Sequence, residues 1–531
     1  MIFLYTDKLI NLLFKDQIHD RSYYEALYKE RNTTPILRFA PSPTGYLHTG
    51  SLYTALINYM LALKDNGIFY LRIEDTDTKR TVADAYETLT SDLAYFGITY
   101  ENDEAYGPYF QSKRKDIYHA LVIDLLKQGK AYPCFLTETE IEEIKKYQEE
   151  NKLRTGIYSS FAKYRDIDEA AAIDLISKGR SYVIRLKSSG DFNKTFKIKD
   201  VLRGELELHE NDFDLVLLKQ DGLPTYHFAH AVDDYLMHTT MVVRGEEWLT
   251  SLPIHVELFK TLDYKVPKYL HLDSIMKLDN GSKRKLSKRH DPEAKVSYLI
   301  EDGYPKEGIT NYLLTLANSN YEEYLKSSAS NNYKEFKLDI KKMSKTGALF
   351  DIDKLNYISK ESISYMSREE LFTSIKNWAS LYQKELLNLI QTDENKFKAI
   401  LNIGSNGASK RKDFAKYSEV LELIKPFYNE YFDKMPLILD YGETLISAVK
   451  EVFITTSLEN EEVWLNTLKE KAFSLGFAKN KKEALALNMP YQFADFMKII
   501  RNLLFRRDNS PSLYEVMTIL GIDEVKRRLG V

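Results

Sequence analysis

Residues 38–51 combine a tight turn with residue types that bind phosphate. They read Arg-Phe-Ala-Pro-Ser-Pro-Thr-Gly-Tyr-Leu-His-Thr-Gly-Ser, so a strand end and a Pro/Gly turn precede a predicted helix start with His48 and Gly50 at its mouth. Backbone N–H groups at a helix N-terminus lack intrahelical acceptors and attract phosphate. Gly50 leaves room for a nucleotide beside the backbone, and His48 can donate to a phosphoryl oxygen. An ordinary strand–helix turn capped by Ser51 fits this segment equally well.

A second segment, residues 280–289, is strongly cationic. It reads Asn-Gly-Ser-Lys-Arg-Lys-Leu-Ser-Lys-Arg. Lysine and arginine can neutralise the charge that builds on a triphosphate during displacement at the α-phosphorus, and a loop can close over the bound nucleotide. Taken alone, the run also fits a solvated basic turn. A similar run, Lys-Met-Ser-Lys-Thr at 342–346, lies before a predicted helical region.

The elements around these segments predict an α/β domain. Residues 36–40 and 68–73 read as short strands, and a helix with apolar residues at 3.6-residue spacing is predicted from Ser51. Two strands joined by a helix indicate a βαβ unit with parallel pairing. Alternation resumes with a strand at 214–219, so we expect a sheet that is interrupted by an insertion at about 110–215.

The insertion and the C-terminal part differ from this α/β pattern. Charged helices and short strands predict an α+β module in the insertion, with helices at 138–152 and 167–178 and strands at 182–186 and 195–198. A further helix from about Tyr226, a strand at 241–244 and a helix from about Leu252 follow the insertion. Beyond about residue 370 the chain is predicted to be helical, with long runs at 369–392, 410–430 and 461–475.

The composition excludes several classes of protein. The 531 residues carry 74 Lys and Arg against 78 Asp and Glu, a formal net charge of −4, so no overall basic charge attracts nucleic acid. A hydrophobic fraction of 44% excludes dominant disorder. The single cysteine, Cys134, excludes a disulfide framework and fits a cytoplasmic location. No run approaches the ~20 apolar residues of a membrane span. Near the start, Ile10, Leu12, Leu13 and Phe14 indicate one face of a short helix rather than a signal peptide.

Taken together, the motifs resemble those of glutamyl-tRNA synthetases, which are class I aminoacyl-tRNA synthetases. The turn Pro-Ser-Pro-Thr-Gly at 41–45 differs from the Pro-Glu-Pro-Asn-Gly type that is usual in glutaminyl-tRNA synthetases. His-Thr-Gly-Ser at 48–51 matches the "HIGH" element, and Lys-Leu-Ser-Lys-Arg at 285–289 matches the "KMSKS" element by its context. The other collinear matches are 71–77 (Leu-Arg-Ile-Glu-Asp-Thr-Asp), 107–112 (Gly-Pro-Tyr-Phe-Gln-Ser), 221–226 (Asp-Gly-Leu-Pro-Thr-Tyr), 232–234 (Val-Asp-Asp), 243–248 (Val-Arg-Gly-Glu-Glu-Trp), 350–355 (Phe-Asp-Ile-Asp-Lys-Leu) and 511–516 (Pro-Ser-Leu-Tyr-Glu-Val).

The resemblance implies a set of site residues. The catalytic residues would be His48, Gly50, Lys285 and Lys288. The ATP site would contain Thr44, His48, Gly50, Ser51, Glu247, Trp248, Lys285, Ser287, Lys288 and Arg289. The glutamate site would contain Arg38, Ser42, Glu74, Tyr226, His230 and Arg244. Some relatives have asparagine at the position of His230, and this histidine either donates to the substrate or fills space.

The resemblance also implies a domain organisation and partners. We expect a Rossmann-type parallel-sheet catalytic domain with an inserted α+β acceptor-stem-binding module, followed by an all-α anticodon-binding half. The expected boundaries are 1–34 (N-terminal extension), 35–109 and 214–279 (the two catalytic halves), 110–213 (module), 280–370 (KMSKS-type loop and stem-contact domain) and 371–531 (anticodon-binding domain). We expect a cytoplasmic monomer that acts on tRNA(Glu), L-glutamate and ATP with Mg²⁺. Basic clusters at 341–345, 410–412, 479–482 and 501–507 are candidate RNA contacts.

Metal binding by the protein itself is not expected. Asp75 and Asp77 lack the remaining ligands of a calcium loop, and one cysteine cannot build the zinc site that some relatives hold in the acceptor-stem module. The sequence leaves open whether tRNA(Gln) is also charged. Two other functions are compatible with such a fold: a catalytically silent tRNA-binding scaffold, and a paralogue that glutamylates a modified tRNA base. The long helical C-terminal half argues against the second, because such paralogues lack it.

Overall fold

The computed structural model describes residues 5–43, 45, 47–77, 84–287, 289–328, 330–404, 412–456 and 460–531. The strands in these ranges are β1 Ile36–Phe39, β2 Ile68–Leu71, β3 Ala131–Cys134, β4 Val183–Leu186, β5 Thr195–Asp200, β6 Gly204–His209, β7 Val216–Leu218, β8 Met241–Gly245, β9 Lys268–Leu272, β10 Met276–Asp279 and β11 Ser282–Lys285. The helices are α1 Asp7–Leu13, α2 Arg21–Leu27, α3 Thr49–Lys64, α4 Ala85–Tyr95, α5 Lys115–Lys127, α6 Glu138–Glu150, α7 Glu169–Ser177, α8 Tyr226–Leu236, α9 Leu252–Thr261, α10 Val296–Glu301, α11 Lys306–Ala317, α12 Tyr321–Ser327, α13 Ile352–Tyr365, α14 Arg368–Tyr382, α15 Lys384–Thr392, α16 Glu394–Asn402, α17 Val420–Ile424, α18 Asn429–Phe432, α19 Glu443–Ile454, α20 Glu461–Ser474, α21 Lys481–Ala486, α22 Phe493–Phe505, α23 Leu513–Leu520 and α24 Ile522–Leu529.

The chain divides into two compact units. One contains Met1–Tyr298 and Thr310–Ile352, and the other contains Leu299–Ile309 and Asp353–Val531. None of the helices in the described ranges has the length and apolar character needed to cross a membrane.

Parallel strand pairs form the framework of the first unit. β1 and β2 pair in parallel with Ile36 opposite Ile68, and α3 connects them as the sequence predicts. β8 and β9 form a second parallel pair. The backbone N–H of Thr240, directly before β8, donates to the carbonyl of Ile36 at 3.0 Å, which brings the start of β8 beside β1. The carboxyl ends of β1 and β8 therefore lie on the same side.

The segment expected to be an insertion, 110–213, contributes antiparallel strands. β4 lies between β3 and β7 in one antiparallel sheet, and β5 and β6 form a hairpin that joins β9 through a single parallel bridge between Asp200 and Tyr269. We expected the strand at 214–219 to resume the parallel sheet. The strand exists as β7, but it pairs antiparallel with β4 of the insertion. Its short apolar run defines a buried strand without specifying its partner.

Residues near the N-terminus belong to the core of the first unit. Leu9, Ile10, Phe14 and Tyr28 are buried in one hydrophobic cluster with residues of α5, α8 and β3. The hydroxyl of Tyr5 donates to the carbonyl of Ile167 at 3.0 Å. The predicted short helix is confirmed as α1, although its Leu12 is 37% exposed. This segment is an integral layer of the unit, a role that its sequence alone did not indicate.

The C-terminal unit is helical, and its described residues include two hydrophobic clusters. One is formed by α14–α17 and neighbouring turns around Ile375 and Phe397, and the other by α19, α20, α22 and α24 around Phe496. The long helix expected at 369–392 is split into α14 and α15 at Gln383, whose φ of −144° is not helical. The run expected at 410–430 is also wrong as one helix: its described part contains α17 and a short turn at Pro426. Proline lacks the N–H that a continuous helix requires.

Candidate active site

A cleft of about 330 Å³ opens where the carboxyl ends of β1, β8 and β9 meet the N-terminus of α3. Ligands of α/β sheets bind at this edge of the strands. Most of the predicted site residues line it: Arg38, Ser42, His48, Gly50, Ser51, Glu74, Tyr226, Arg244, Glu247, Trp248 and Lys285. Thr44 and Lys288 lie outside the described residues. These residues, which are far apart in the chain, meet in one cleft, whereas His230, Ser287 and Arg289 do not line it.

His48 is the N-cap of α3, a role that we had considered for Ser51. Its Nδ1 accepts a hydrogen bond from the backbone N–H of Gly50 at 2.9 Å. A neutral imidazole that accepts at Nδ1 carries its proton on Nε2, so it can donate from that side. A Cβ at Gly50 would lie 3.2 Å from Nδ1 of His48. Glycine at position 50 thus keeps the imidazole in its capping position, and it also leaves the helix mouth accessible.

Arg38 is held by a buried carboxylate below the cleft. Its Nε lies 3.1 Å from Oδ1 of Asp234, and its Nη2 lies 3.2 Å from Oδ2. Nη1 of Arg72 donates to the same carboxylate at 2.6 Å. Burial opposes ionisation of Asp234, but Arg38 and Arg72 outweigh it and hold the Asp234 pKa well below its usual value. Asp234 thus orients both guanidinium groups, which is why they tolerate burial.

Glu74 reaches the cleft from the loop that follows β2. Its Oε1 lies 3.4 Å from Nη2 of Arg72. Burial raises the pKa of Glu74 to about 7, although Arg72 and Arg38 act in the opposite direction. A carboxyl group that titrates near neutrality can accept a hydrogen bond from an ammonium group in its ionised form.

Arg244 is the second buried arginine of the cleft and has a different environment. Its Nε donates to Nε2 of His271 at 3.0 Å, its Nη1 to Nδ1 of His255 at 3.0 Å, and its Nη2 to the carbonyl of Trp248 at 3.3 Å. Only 5% of its surface is exposed. Among the residues that the structure describes, no carboxylate forms an ion pair with Arg244. This arginine is therefore equipped to bind an anionic group that enters the cleft.

Aromatic residues form one wall of the cleft. Tyr226 begins α8 and stacks at a tilt on Trp248, with the ring centroids 4.3 Å apart. The backbone carbonyl of Trp248 also accepts a hydrogen bond from the guanidinium of Arg244 at 3.3 Å. The wall excludes water from one side of the cleft and strengthens the electrostatic interactions inside it.

The cationic run at 285–289 enters the cleft through Lys285, the last residue of β11. Its Nζ lies 3.5 Å from Oε2 of Glu247, with both side chains exposed. Ser287 and Arg289, which we predicted at the ATP site, do not line the cleft. The run 342–346 does not line it either; Met343 there forms an isolated bridge with Asn318. Of the described residues in the two runs, only Lys285 and Leu286 line the cleft, and the nucleotide role of 285–289 stays a prediction.

Asp291 anchors the base of this cationic run. It is 1% exposed, and its Oδ2 accepts from Nη1 of Arg284 at 2.6 Å and from the backbone N–H of Ser287 at 2.9 Å. Nζ of Lys277 lies 3.1 Å from Oδ1. Hydrogen bonds with Arg284 hold the Asp291 pKa below its usual value. One carboxylate therefore ties both strands of the β10–β11 hairpin to the turn that follows.

His230 does not line the cleft, so of the two roles left open for it the structure favours filling space over contact with the substrate. It is fully buried beneath Tyr226; its Nε2 lies 3.1 Å from the hydroxyl of Tyr269 and its Nδ1 lies 2.9 Å from Oδ2 of Asp234. Burial lowers the pKa of His230 to about 3. The imidazole therefore acts as a neutral spacer below the cleft. Its helical position four residues before Asp234 places both on one face of α8.

Several residues of the site were missed by the sequence interpretation. Arg72 and Asp234 both lie within the matched motifs. For Arg72 a signal was available: a charged residue inside the apolar run 68–73 indicates a buried cation that needs a partner. His255 and His271 had no signal, because they occur in ordinary helix and strand patterns and meet Arg244 only through tertiary packing.

Comparisons with known proteins agree with this architecture. Residues 36–357 match the family "tRNA synthetases class I (E and Q), catalytic domain", and residues 370–531 match the family "Anticodon binding domain". The fold and the cleft at its strand ends are thus those of a class I aminoacyl-tRNA synthetase.

Individual relatives narrow this assignment. The chain is 44% identical to the glutamate–tRNA ligase of Clostridium perfringens (strain 13 / Type A) over 98% of this chain and 100% of the relative, and 42% identical to that of Clostridium beijerinckii over 98% of each. A crystal structure of a glutamate tRNA ligase from Elizabethkingia meningosepticum in complex with its amino acid superimposes with a TM-score of 0.75 at 27% identity, covering 93% of this chain and 98% of that one. The chain belongs to the glutamyl-tRNA synthetase family.

Proposed function

We propose that this chain is a glutamate–tRNA ligase, which activates L-glutamate with ATP and transfers it to the 3′-terminal adenosine of tRNA(Glu). The observation that carries the proposal is the state of Arg244, a buried cation in the cleft wall without a carboxylate partner among the described residues. Burying a cation without counter-charge is costly, so the site favours an anionic ligand. The relatives named glutamate–tRNA ligase support the same amino acid.

The amino-acid site is built around this arginine. The fork of Arg244 binds the side-chain carboxylate of glutamate, and Tyr226 forms the wall beside it. Glu74, in its ionised form, and Ser42 bind the backbone groups of the amino acid. Arg38 lines the same cleft, with its orientation set by Asp234. His230 supports the pocket from below.

Activation of glutamate by ATP takes place at the N-terminus of α3. The α-carboxylate of glutamate attacks the α-phosphorus of ATP, a new O–P bond forms, and pyrophosphate leaves with the electrons of the broken P–O bond. His48, the N-terminus of α3 and Lys285 stabilise the charge on the phosphoryl oxygens, together with Lys288, which belongs to the same cationic run. Gly50, Ser51, Glu247 and Trp248 border the nucleotide. Orientation of the two reactants supplies much of the rate, since it is worth about 7–11 kcal/mol in well-aligned reactions.

Transfer to tRNA completes the reaction. The 2′-hydroxyl of the terminal ribose attacks the carbonyl of the mixed anhydride, and AMP leaves. The insertion at 110–213 holds the acceptor end, and the helical half at 371–531 holds the anticodon; the anticodon-binding family match supports the second assignment. RNA ends and loops are recognised by base stacking and by hydrogen bonds to base edges.

The exposed basic residues differ in their suitability for RNA contact. Lys341, Lys342 and Lys345 are exposed, as are Lys479 and its neighbours at 481–482. The cluster at 501–507 is less suitable, because Arg506 lies over the ring of Phe432 at 4.4 Å and Arg507 donates to the carbonyl of Glu422. Residues 410 and 411 lie outside the described part of the chain. The first two clusters are therefore the preferred tRNA contacts.

Mg²⁺ enters as part of the ATP substrate. No group of three or more His, Cys, Asp or Glu side chains suited to a metal is found in the described residues. Magnesium commonly binds through nucleotide phosphates and one or two carboxylates, so this arrangement suits ATP-borne Mg²⁺.

We propose that the enzyme works without zinc, as a cytoplasmic monomer. The single cysteine suits a reducing compartment.

The test is aminoacylation of purified tRNA(Glu) and tRNA(Gln), side by side, with labelled glutamate or glutamine. We expect glutamate to be attached to tRNA(Glu), and the second tRNA determines whether the specificity is broader. Attachment of glutamine alone would replace the proposal with a glutaminyl enzyme. Glutamate transferred to a tRNA base, rather than to the 3′ end, would identify the modifying paralogue.

A substitution in the cationic run 285–289 tests the alternative that the protein is a catalytically silent tRNA-binding scaffold. Lys285→Ala is expected to lower ATP–pyrophosphate exchange, measured with glutamate in the presence of tRNA, while tRNA binding persists. Lys64→Ala, a change at an exposed lysine at the end of α3, serves as the matched control. Wild-type protein that binds tRNA but shows no charging above the Lys285→Ala background would support the scaffold instead.

A further inference from the structure

The three groups that hold Arg244 are all uncharged acceptors. The imidazoles of His271 and His255 accept hydrogen bonds from Nε and Nη1, each at 3.0 Å, and a backbone carbonyl accepts one from Nη2. Arginine has five N–H donors and no acceptor, so the contacting nitrogen of each histidine must accept. Each imidazole therefore carries its single proton on the other nitrogen and is neutral.

The far side of each histidine explains how this protonation state is maintained. Nδ1 of His271 lies 2.8 Å from Oδ2 of Asp200 and donates to it. Nε2 of His255 lies 3.0 Å from Nδ1 of His227 and donates to it. Burial lowers the pKa of His271 and lowers that of His255 well below its usual value. Both rings are thus fixed in one tautomer, with an acceptor directed at Arg244.

Two buried carboxylates of the surrounding network, those of Asp200 and Asp234, have other partners. Asp200 accepts from the backbone N–H groups of Leu202, Arg203 and His271 as well as from the imidazole that separates it from Arg244. Asp234 is occupied by Arg38 and Arg72. The positive charge of Arg244 is therefore oriented without being neutralised by a direct carboxylate contact within the described residues.

We propose that His255 and His271 are positioning residues that set the selectivity of the site for an anionic side chain over its neutral amide. They supply the hydrogen bonds that Arg244 needs when buried, yet they add no negative charge. Aspartate or glutamate in their place would orient the arginine equally well and would remove its need for a substrate carboxylate. The inference rests on the proposed function, because it assumes that Arg244 binds the side chain of glutamate.

The decisive experiment compares His255→Asn with His255→Asp. The two side chains have nearly the same shape, and Oδ1 of each can replace Nδ1 of the imidazole, so they differ mainly in charge. Glutamate and glutamine activation are measured by ATP–pyrophosphate exchange with tRNA present. We expect the Asn variant to keep the glutamate KM within about threefold, and the Asp variant to lower the glutamate-to-glutamine preference by about tenfold or more, with the ATP KM unchanged.

Position 271 gives an independent pair if a buried aspartate prevents folding. Oε1 of Gln can replace Nε2 of His271, whereas Met fills a similar volume without a strong acceptor. His271→Met is expected to raise the glutamate KM about tenfold, and His271→Gln to leave it within about threefold. Equal values within either pair of folded variants overturn the inference. Wild-type protein that does not activate glutamate would instead overturn the proposed function itself.

Discussion

Arg38 and Arg244 line the same cleft from β1 and β8, but only Arg38 is paired with a carboxylate among the described side chains. Arg38 contacts Asp234 through Nε at 3.1 Å and through Nη2 at 3.2 Å. Arg244 contacts two imidazoles and a carbonyl. The first arginine is therefore part of a closed buried network, whereas the second retains the capacity to bind an anion. Differences of this kind in burial and charge pairing lead to four predictions on residues in or beneath the cleft and to one on the hydrophobic core.

Arg244→Ala is expected to raise the glutamate KM far more than the ATP KM. Truncating one partner of a buried charge pair costs about 2–5 kcal/mol, or roughly 30-fold to several thousandfold in affinity. Steady-state ATP–pyrophosphate exchange at varied glutamate and ATP gives both constants. Lys64→Ala is the control for removal of an exposed cation. Equal effects on the two substrates would remove Arg244 from the amino-acid pocket.

Gly50→Ala is expected to impair activation of the amino acid. The added Cβ would lie 3.2 Å from Nδ1 of His48, so the capping imidazole must shift by a few tenths of an ångström. We expect kcat for exchange to fall about 10- to 100-fold, the range typical of a misplaced catalytic group. Gly442→Ala is a matched control, because no atom lies within 4 Å of a Cβ added there. Wild-type kcat in Gly50→Ala would show that the position of His48 is not critical.

Glu74→Gln is expected to stabilise the protein at pH 8 and to have no such effect near pH 4.5. The pKa of Glu74 rises from 4.5 to about 7 on burial, so the native protein favours its protonated form. The contribution of Glu74 to stability is therefore complete below pH 4.5 and is lost as the pH rises through 7, by about 3 kcal/mol. Denaturant unfolding at several pH values measures the difference, with exposed Glu101→Gln as control. A pH-independent difference would contradict the assignment.

Asp291→Asn is expected to weaken ATP binding without changing the glutamate KM. Asp291 joins Arg284, Lys277 and the backbone of Ser287, and a neutral amide replaces only part of these charge-assisted hydrogen bonds. We expect the ATP KM to rise about tenfold because the cationic run then samples more conformations. The exposed partner of Arg284 provides a comparison: Asp279→Asn should have a smaller effect. A larger effect of Asp279→Asn would mean that the hairpin, and not its anchor, sets ATP affinity.

Leu9→Ala is expected to destabilise the whole first unit. Leu9 is fully buried with residues of α5 and α8, and large-to-small changes in a core cost about 2–5 kcal/mol. Leu12→Ala, in the same helix but 37% exposed, is the matched control and should have little effect. Thermal unfolding of the two variants tests this directly. Similar melting temperatures for both variants would show that the N-terminal layer is dispensable.

The sequence predicted the elements that carry the cleft. The strand–turn–helix pattern around Gly50 and the strand before Glu247 fixed where side chains leave the sheet, and parallel strands bring such ends together. It did not predict which charges neutralise each other below the cleft. Arg72 directly follows β2, Asp234 lies in α8 and His271 lies in β9, so only packing determines which partners they meet.

The sequence also did not predict which helices and strands pack against one another. The apolar positions of α1 indicate that one face is buried, but not that it packs on α5 and α8. The run at 216–218 indicates a buried strand, but not its antiparallel pairing with β4. Helix breaks were predicted poorly where no glycine marks them, as at Gln383.

The pairing of β7 with β4 determines how the insertion can be transplanted. An excised fragment that ends at residue 213 would leave the backbone of Ile184 and Arg185 without the neighbour they have in the intact chain. Such a fragment would present an open strand edge, which invites self-association. A donor segment for chimeric enzymes should therefore extend through Leu218, so that the transferred sheet keeps β7 as its edge strand.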